Sequence, residues 1–277
     1  MLTSQAVGFL TTAAVLAVSA EQAPALAALA WAGAAGIAGI VGLAFFYRAL
    51  SGGTMALIAP LAGVIGAAVP AAMALIGGEQ LSPVRIMGLL GALVAIVLIA
   101  LPRWFRAPAA TAWQLGPADV LLAVMAGLGF AGFFLFLDRS AAAGAERWWP
   151  MFAVRLVGLT VLVAALALVV GRRRGAIGPR VRHLFGLQRL RRAGGRGRGL
   201  LSVAPLFVIA GLGDLGGNVL FLLANEFDAL AVAVVLSSLY PVVTAVLAAT
   251  FLSERLSWPQ LAGVGLAALA AGLIGVG

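Results

Sequence analysis

The stretch from Ala229 to Gly277 constrains the fold more than any other. One apolar run ends at Glu254 and Arg255, a turn follows at Ser257, Trp258 and Pro259, and a second apolar run reaches Gly277. Each run holds about 20 residues, enough for a helix to cross a hydrocarbon core of ~30 Å. Hydrocarbon offers no partner for backbone polar groups, so such a run is expected to close its own hydrogen bonds as a helix. The pair reads as a membrane hairpin, with its charges and proline where the chain turns back.

The rest of the chain repeats the pattern. Of 277 residues 63% are hydrophobic and 10% charged, where a soluble domain carries roughly 25% charged residues. Further apolar runs cover Ala6–Ala20, Ala27–Leu50, Thr54–Gly77, Val84–Pro102, Asp119–Leu137, Trp149–Val170 and Leu200–Ala224. With Ala229–Leu252 and Trp258–Gly277 they make nine. The expected fold class is an all-α integral membrane protein with about nine transmembrane helices. The first run is short, and Val18-Ser19-Ala20 could pass for a signal-peptidase site. No Lys or Arg precedes it, so a retained, tilted helix is favoured.

A constant offset of 175 positions aligns Gly36 with Gly211, Gly42 with Gly217, Phe46 with Phe221, Glu79 with Glu254, Ser82 with Ser257 and Gly88 with Gly263. The shared Glu-x-Leu-Ser turn points to internal duplication. Residues 1–102 form the first repeat, 103–117 a linker and 118–277 the second. Equivalent spans lie five apart, an odd number, so they are expected to cross the membrane in opposite directions as an inverted-topology repeat.

Leu239-Tyr240-Pro241-Val242-Val243, Ser253-Glu254-Arg255-Leu256-Ser257, Gln260 and Gly263 resemble the closing signature of the EamA-type transporter family of the drug/metabolite transporter superfamily. The first repeat departs from it, with Gly66 where Pro241 stands and Arg85 where Gln260 stands. The resemblance implies ten spans, five per repeat, which leaves the first helix of the first repeat missing here. It also implies that an arginine near position 155 is common and that both termini face the cytoplasm.

The 18 basic residues are all arginine, and ten of them lie between Arg172 and Arg198. With Arg48, Arg103, Arg106 and Arg255 they fall on one side of the alternating loops, against Arg85, Arg139 and Arg147 on the other. The richer side is expected to be cytoplasmic, which with nine spans puts the N-terminus inside and the C-terminus outside. The loop 171–199 reads as a topology anchor against anionic lipid rather than a nucleic-acid site. Trp104 and Trp113 in the linker fit an interfacial aromatic belt.

Asp214 is the most informative single residue. It sits near the middle of the Leu200–Ala224 run, in GLGDLGGN at 211–218, and Gly39 stands at its repeat equivalent. A carboxylate at that depth costs a few kcal/mol or more unless it faces a cavity or a partner. Asn218 lies one turn on, on the same face. Either a substrate amine or proton site, or a helix-packing hydrogen bond, accounts for the pair. Arg155 has three options: pairing with Asp214, holding a substrate carboxylate, or snorkelling to the interface. Pro241 removes a backbone donor within its run, with Tyr240 and Ser237-Ser238 beside it as hydrogen-bonding groups. Glu79 and Glu254 read as interfacial, capping or ion-paired groups, and Gly88 and Gly263 as the repeat signature. Gly33, Gly36, Gly39, Gly42, Gly213 and Gly217 are expected to let helices approach closely.

The chain has no cysteine, and its single histidine, His183, lies in the Arg-rich loop. Thiolate and histidine metal sites are therefore not expected, no base for a serine nucleophile is evident, and no cofactor or enzymatic activity is anticipated. The expected function is secondary transport: export or exchange of a small metabolite, such as an amino acid or amphiphile, by alternating access, with proton coupling as one option. The alternative is a lipid-handling or non-transporting membrane partner subunit. Membrane lipids and a small-molecule substrate are the expected partners, with no nucleic acid, in a monomer or homodimer. The expected location is the plasma (inner) membrane, as a multi-pass protein.

Overall fold

The computed structural model describes residues 2–50, 55–100, 117–171, 198–227, 229–251 and 256–276. Glu254, most of the linker 103–117 and the interior of the Arg-rich loop 171–199 lie outside the described residues. All regular structure among the described residues is helical. In chain order the helices are α1 Leu2–Val18, α2 Leu26–Leu50, α3 Met55–Ile76, α4 Pro83–Ala100, α5 Pro117–Ala142, α6 Trp148–Gly171, α7 Arg198–Phe227, α8 Leu230–Ser237, α9 Tyr240–Phe251 and α10 Trp258–Val276.

Among the described residues, four stretches are long and apolar enough to cross a membrane: Leu26–Leu50, Pro117–Ala142, Trp148–Leu168 and Trp258–Val276. Shorter apolar helices cover Gln5–Val18, Leu61–Ile76 and Pro83–Ile99. Alanine makes up much of the buried set, alongside larger residues such as Ile58, Ile96, Leu137 and Phe221. Ala28, Ala32, Ala35, Ala62, Ala67, Ala92, Ala95, Ala123 and Ala126 are buried, while Leu10, Leu90, Leu121, Leu220 and Leu269 point outward. Many small residues where helices meet, together with large apolar side chains exposed on the outside, suit lipid, where close backbone approach drives helix association.

The run Ala229–Leu252, expected as one span, is two helices. α8 ends at Ser237, a turn covers Ser238 and Leu239, and α9 starts at Tyr240. Pro241 has no N–H, so the carbonyl of Ser237 loses its i+4 donor and the ladder is interrupted.

The chain divides into two compact units. The first comprises Met1–Ile40 and Ser140–Val219, the second Val41–Arg139 and Leu220–Gly277. In the first, α1 packs on α6, with Phe9 and Phe152 rings 5.3 Å apart. Gly36 of α2 lies against α6 so closely that a Cβ there would meet the Val154 carbonyl oxygen at 2.9 Å. The Ser140 hydroxyl donates to the Ala28 carbonyl at 2.8 Å.

In the second unit, α4 and α10 form the most extensive helix pair. A Cβ on Gly88 would lie 2.7 Å from Ile274 Cγ1, and one on Gly263 would lie 2.6 Å from Ile99 Cγ1. The start of each helix meets the end of the other, so the two run antiparallel. Both members of the first contact stand 175 positions from their counterparts in the second: Gly88 from Gly263, and Ile99 from Ile274.

The turn after α3 is set by Gly78, whose φ of +100° favours glycine. Glu79 N–H donates to the Ala74 carbonyl and Gly78 N–H to the Leu75 carbonyl, the Schellman pattern. That turn presents the Glu79 carboxylate to the N-terminus of α8. Oε1 accepts from Leu230 N–H at 2.7 Å and Oε2 from Ala231 N–H at 3.2 Å. Ala229 supplies no side-chain cap of its own, so Glu79 satisfies two of the four orphan donors of α8 from another helix hairpin.

Candidate functional site

The site is built on α6, α1 and α7 of the first unit. Pro150, in the first turn of α6, suits a helix start because its missing N–H would have no intrahelical acceptor there. Glu21, in the α1–α2 connection, takes up another exposed donor of that turn. Its two carboxylate oxygens accept from Trp148 N–H at 3.3 and 3.0 Å, and its carbonyl accepts from Trp149 Nε1–H at 3.4 Å. Burial pushes the Glu21 carboxyl above its ordinary range, partly offset by the hydrogen bonds from the backbone of Trp148 and Trp149.

Less than two turns into α6 stands Arg155. Its side chain is 2% exposed, so it does not snorkel. Nη1 donates to Gln5 Oε1 on α1 at 3.1 Å and to Asp214 Oδ2 on α7 at 2.5 Å. Nε and Nη2 are buried and have no acceptor among the described residues. Asp214 is the outward-facing member of the pair, with its side chain 49% exposed.

Gly8 completes the surroundings of the guanidinium. A Cβ there would sit 3.1 Å from Arg155 Nε, 3.2 Å from Cδ and 3.4 Å from Cζ. Near-equal distances to three bonded atoms put that position over the face of the guanidinium rather than along its N–H bonds. Thr12, one turn on, is fully buried and returns its hydroxyl to the carbonyls of Gly8 and Phe9.

The α7 glycines correct one expectation. Gly36 and Gly42 make the close helix contacts expected of them, but Gly213, Gly216 and Gly217 have nothing within 4 Å of a Cβ position. They therefore do not serve close packing. Gly213 and Gly217 leave the α7 surface on one side of Asp214 free of side chains, while Gly216 lies on the opposite face of the helix, and Asn218 lies half-buried on the same helix.

Arg155, Asp214 and Asn218 thus fall in the first unit, whereas Glu79, Gly88, Ser237, Tyr240, Pro241 and Gly263 fall in the second. The Ser238 hydroxyl donates to the Val234 carbonyl at 2.8 Å. Gln5 and Gly8 were not singled out by the sequence. The one available signal was a glutamine inside the first apolar run. Among the described residues no group of His, Cys, Asp or Glu is arranged to hold a metal ion.

No family model matches the chain, and no curated protein sequence matches it. A solved structure described only as "Crystal structure of protein" is similar in fold, with a TM-score of 0.57 and 19% identity over 99% of this chain and 98% of that one. The likeness extends over the whole helical architecture and carries no functional information.

Proposed function

We propose that the protein is a secondary transporter that moves a small polar metabolite across a membrane by alternating access, with Arg155 and Asp214 at its substrate site. The observation that carries this reading is an arginine buried to 2% exposure within apolar helices, paired with a carboxylate that is half-exposed. An ion pair in such surroundings is costly, and its retention there marks a pathway or binding site more readily than a scaffold. The glycines around Asp214 supply room for a ligand on the same helix.

The finer architecture is part of the proposal: nine spans in two inverted repeats, in the plasma membrane. It draws support from the antiparallel α4–α10 pair, in which Gly88 meets Ile274 and Gly263 meets Ile99 at one common offset. Two elements facing each other through equivalent residues are what a pseudo-two-fold axis in the membrane plane produces. The interrupted α8–α9 pair fits the broken helices that such carriers use. The EamA-like signature agrees with this reading, and the substrate is a small metabolite such as an amino acid or an amphiphile.

The test is flux in proteoliposomes, with labelled amino acids and small organic cations, with and without an imposed pH gradient. Wild-type protein is expected to carry at least one class, and Asp214→Asn to lose that flux while still inserting. Full flux in Asp214→Asn would remove Asp214 from the mechanism, and no flux of any solute in the wild type would overturn the transport reading.

A further inference from the structure

We infer that Glu79 and Asp138 are the two clasps of a gate that pins the α7–α8 connection at the membrane face opposite the Arg-rich loop, and that they release together when the carrier opens to that face. The inference rests on the transport reading above for its setting and on contacts within the second unit for its content.

The connection is held on both sides by acidic side chains from other helices. Before it, in the last turn of α7, Asn225 Nδ2 donates to Asp138 Oδ1 on α5 at 3.0 Å. After it, the N–H groups of Leu230 and Ala231 donate to Glu79 Oε1 and Oε2 at 2.7 and 3.2 Å. A helix that needs only a cap takes it from its own N-cap residue, a Ser, Thr, Asp or Asn. Ala229 offers none, and the acceptor comes from the α3–α4 turn, 151 residues away in the chain. A local cap stabilises a helix wherever the helix goes, whereas a remote cap fixes where it sits. On opening, water at the membrane face satisfies the released donors.

The short helix is built to move once released. Its residues Leu230 to Val235 are buried, it lies against α3 and α4, and those six residues are all leucine, alanine or valine. Apolar burial is non-directional, so the two carboxylates supply directional contacts that apolar packing lacks. The turn at Ser238 and Leu239 separates α8 from α9. That break gives α8 a hinge, and hinges at element ends absorb the backbone change of a closing segment. On the other side, α7 is continuous from Asn225 back to Asp214, about three turns away. Only residues 226–229 separate the two held groups, so neither clasp opens far while the other holds. The face follows from chain direction. Because α7 starts at Arg198, at the end of the loop 171–199, its far end at Phe227 and both clasps lie at the opposite face.

Cross-linking and hydrogen exchange test this on the full-length protein, which has no cysteine of its own. The double variant Glu79→Cys, Ala229→Cys in proteoliposomes is treated with a short bifunctional thiol reagent, which puts a permanent tie in place of a releasable one. Flux present before treatment is expected to fall at least tenfold, while the reagent leaves flux in each single variant unchanged. Full flux after complete cross-linking would overturn the gate. Amide exchange reads the clasps without transport. Asp138 bonds to neither Leu230 nor Ala231, yet Asp138→Ala is expected to speed exchange at both amides several-fold, as Glu79→Gln does, because the clasps open in one event. Unchanged exchange at those amides in Asp138→Ala would overturn the coupling. If the double variant carries no flux before cross-linking, the exchange result alone decides. Coupled exchange with no flux of any solute in the wild type would remove the transport reading and keep the gate. Flux that survives cross-linking would do the reverse.

Discussion

Replacing Gly263 by alanine is the perturbation whose size the structure defines best. The new methyl group would lie 2.6 Å from Ile99 Cγ1, 3.0 Å from the Ile99 nitrogen and 3.0 Å from Leu98 Cβ. Carbon atoms settle at about 3.5–4.0 Å, so the overlap approaches an ångström. One of the obstructing atoms is main chain, so a rotamer change at Ile99 cannot relieve it, and α10 must move away from α4. Overpacking of this kind costs about 1–3 kcal/mol. Alanine regains up to ~1 kcal/mol over glycine within a helix, which leaves a net loss of about 0–2 kcal/mol. Gly265, two positions along the same helix, has nothing within 4 Å. Gly265→Ala therefore takes the propensity gain with no clash, and subtracting the two variants isolates a packing term of about 1–3 kcal/mol. The assay is reversible unfolding in mild detergent, following helix content. Gly88→Ala, the equivalent at the other end of the pair, should cost a similar amount. The double variant should cost less than the sum, because one separation of the two helices relieves both overlaps. Equal stabilities for Gly263→Ala and Gly265→Ala would refute the packing argument.

Glu79→Ala removes both acceptors from the N-terminus of α8 and is expected to destabilise by about 0.5–2 kcal/mol, with faster amide exchange at Leu230 and Ala231. Unchanged exchange there would refute the cap. Glu21 yields a pH dependence of definite sign. Burial raises its carboxyl above the ordinary 4.5, so the folded state holds the proton more tightly than the unfolded state. Its favourable contribution is present below pH 4.5 and is lost as pH rises through the raised value. The melting temperature of wild type relative to Glu21→Gln should therefore fall between pH 4 and 7, and a rise would contradict the assignment. Gln5→Leu removes one of the two acceptors of Arg155 Nη1 and is expected to destabilise by about 1–3 kcal/mol, measurable in the same unfolding assay. A cysteine placed in the loop 171–199 should be labelled by an impermeant reagent only from the cytoplasmic side, and labelling of intact cells from outside would reverse the orientation.

The helices were legible because apolar runs of span length leave the backbone few alternatives. The interruption at Ser238 and Leu239 was legible only as a proline effect. Whether a missing N–H bends a helix or divides it depends on what surrounds it, and one sequence does not contain that. The offset that pairs Gly88 with Gly263 was readable, but the isoleucines they meet were not, since repeat equivalence says nothing about which helices touch. Arg155 and Asp214 were each visible as charges in apolar runs, and their pairing was one of three options for the arginine. Gln5 and Gly8 escaped because their roles exist only once α1 lies on α6. The α7 glycines show the limit from the other side. The same small-residue pattern closes a helix contact at Gly36 and leaves open surface at Gly217, and only tertiary context separates the two.

The central claim, that the surface around Asp214 faces each side of the membrane in turn, can be tested directly because the chain has no cysteine of its own. A single Gly217→Cys substitution fits the space at that position. In oriented proteoliposomes an impermeant maleimide would be applied to one side and then to the other. The account predicts labelling from both sides, with a bound substrate shifting the balance between them. Labelling from one side alone, unchanged by any ligand, would contradict alternating access at this site.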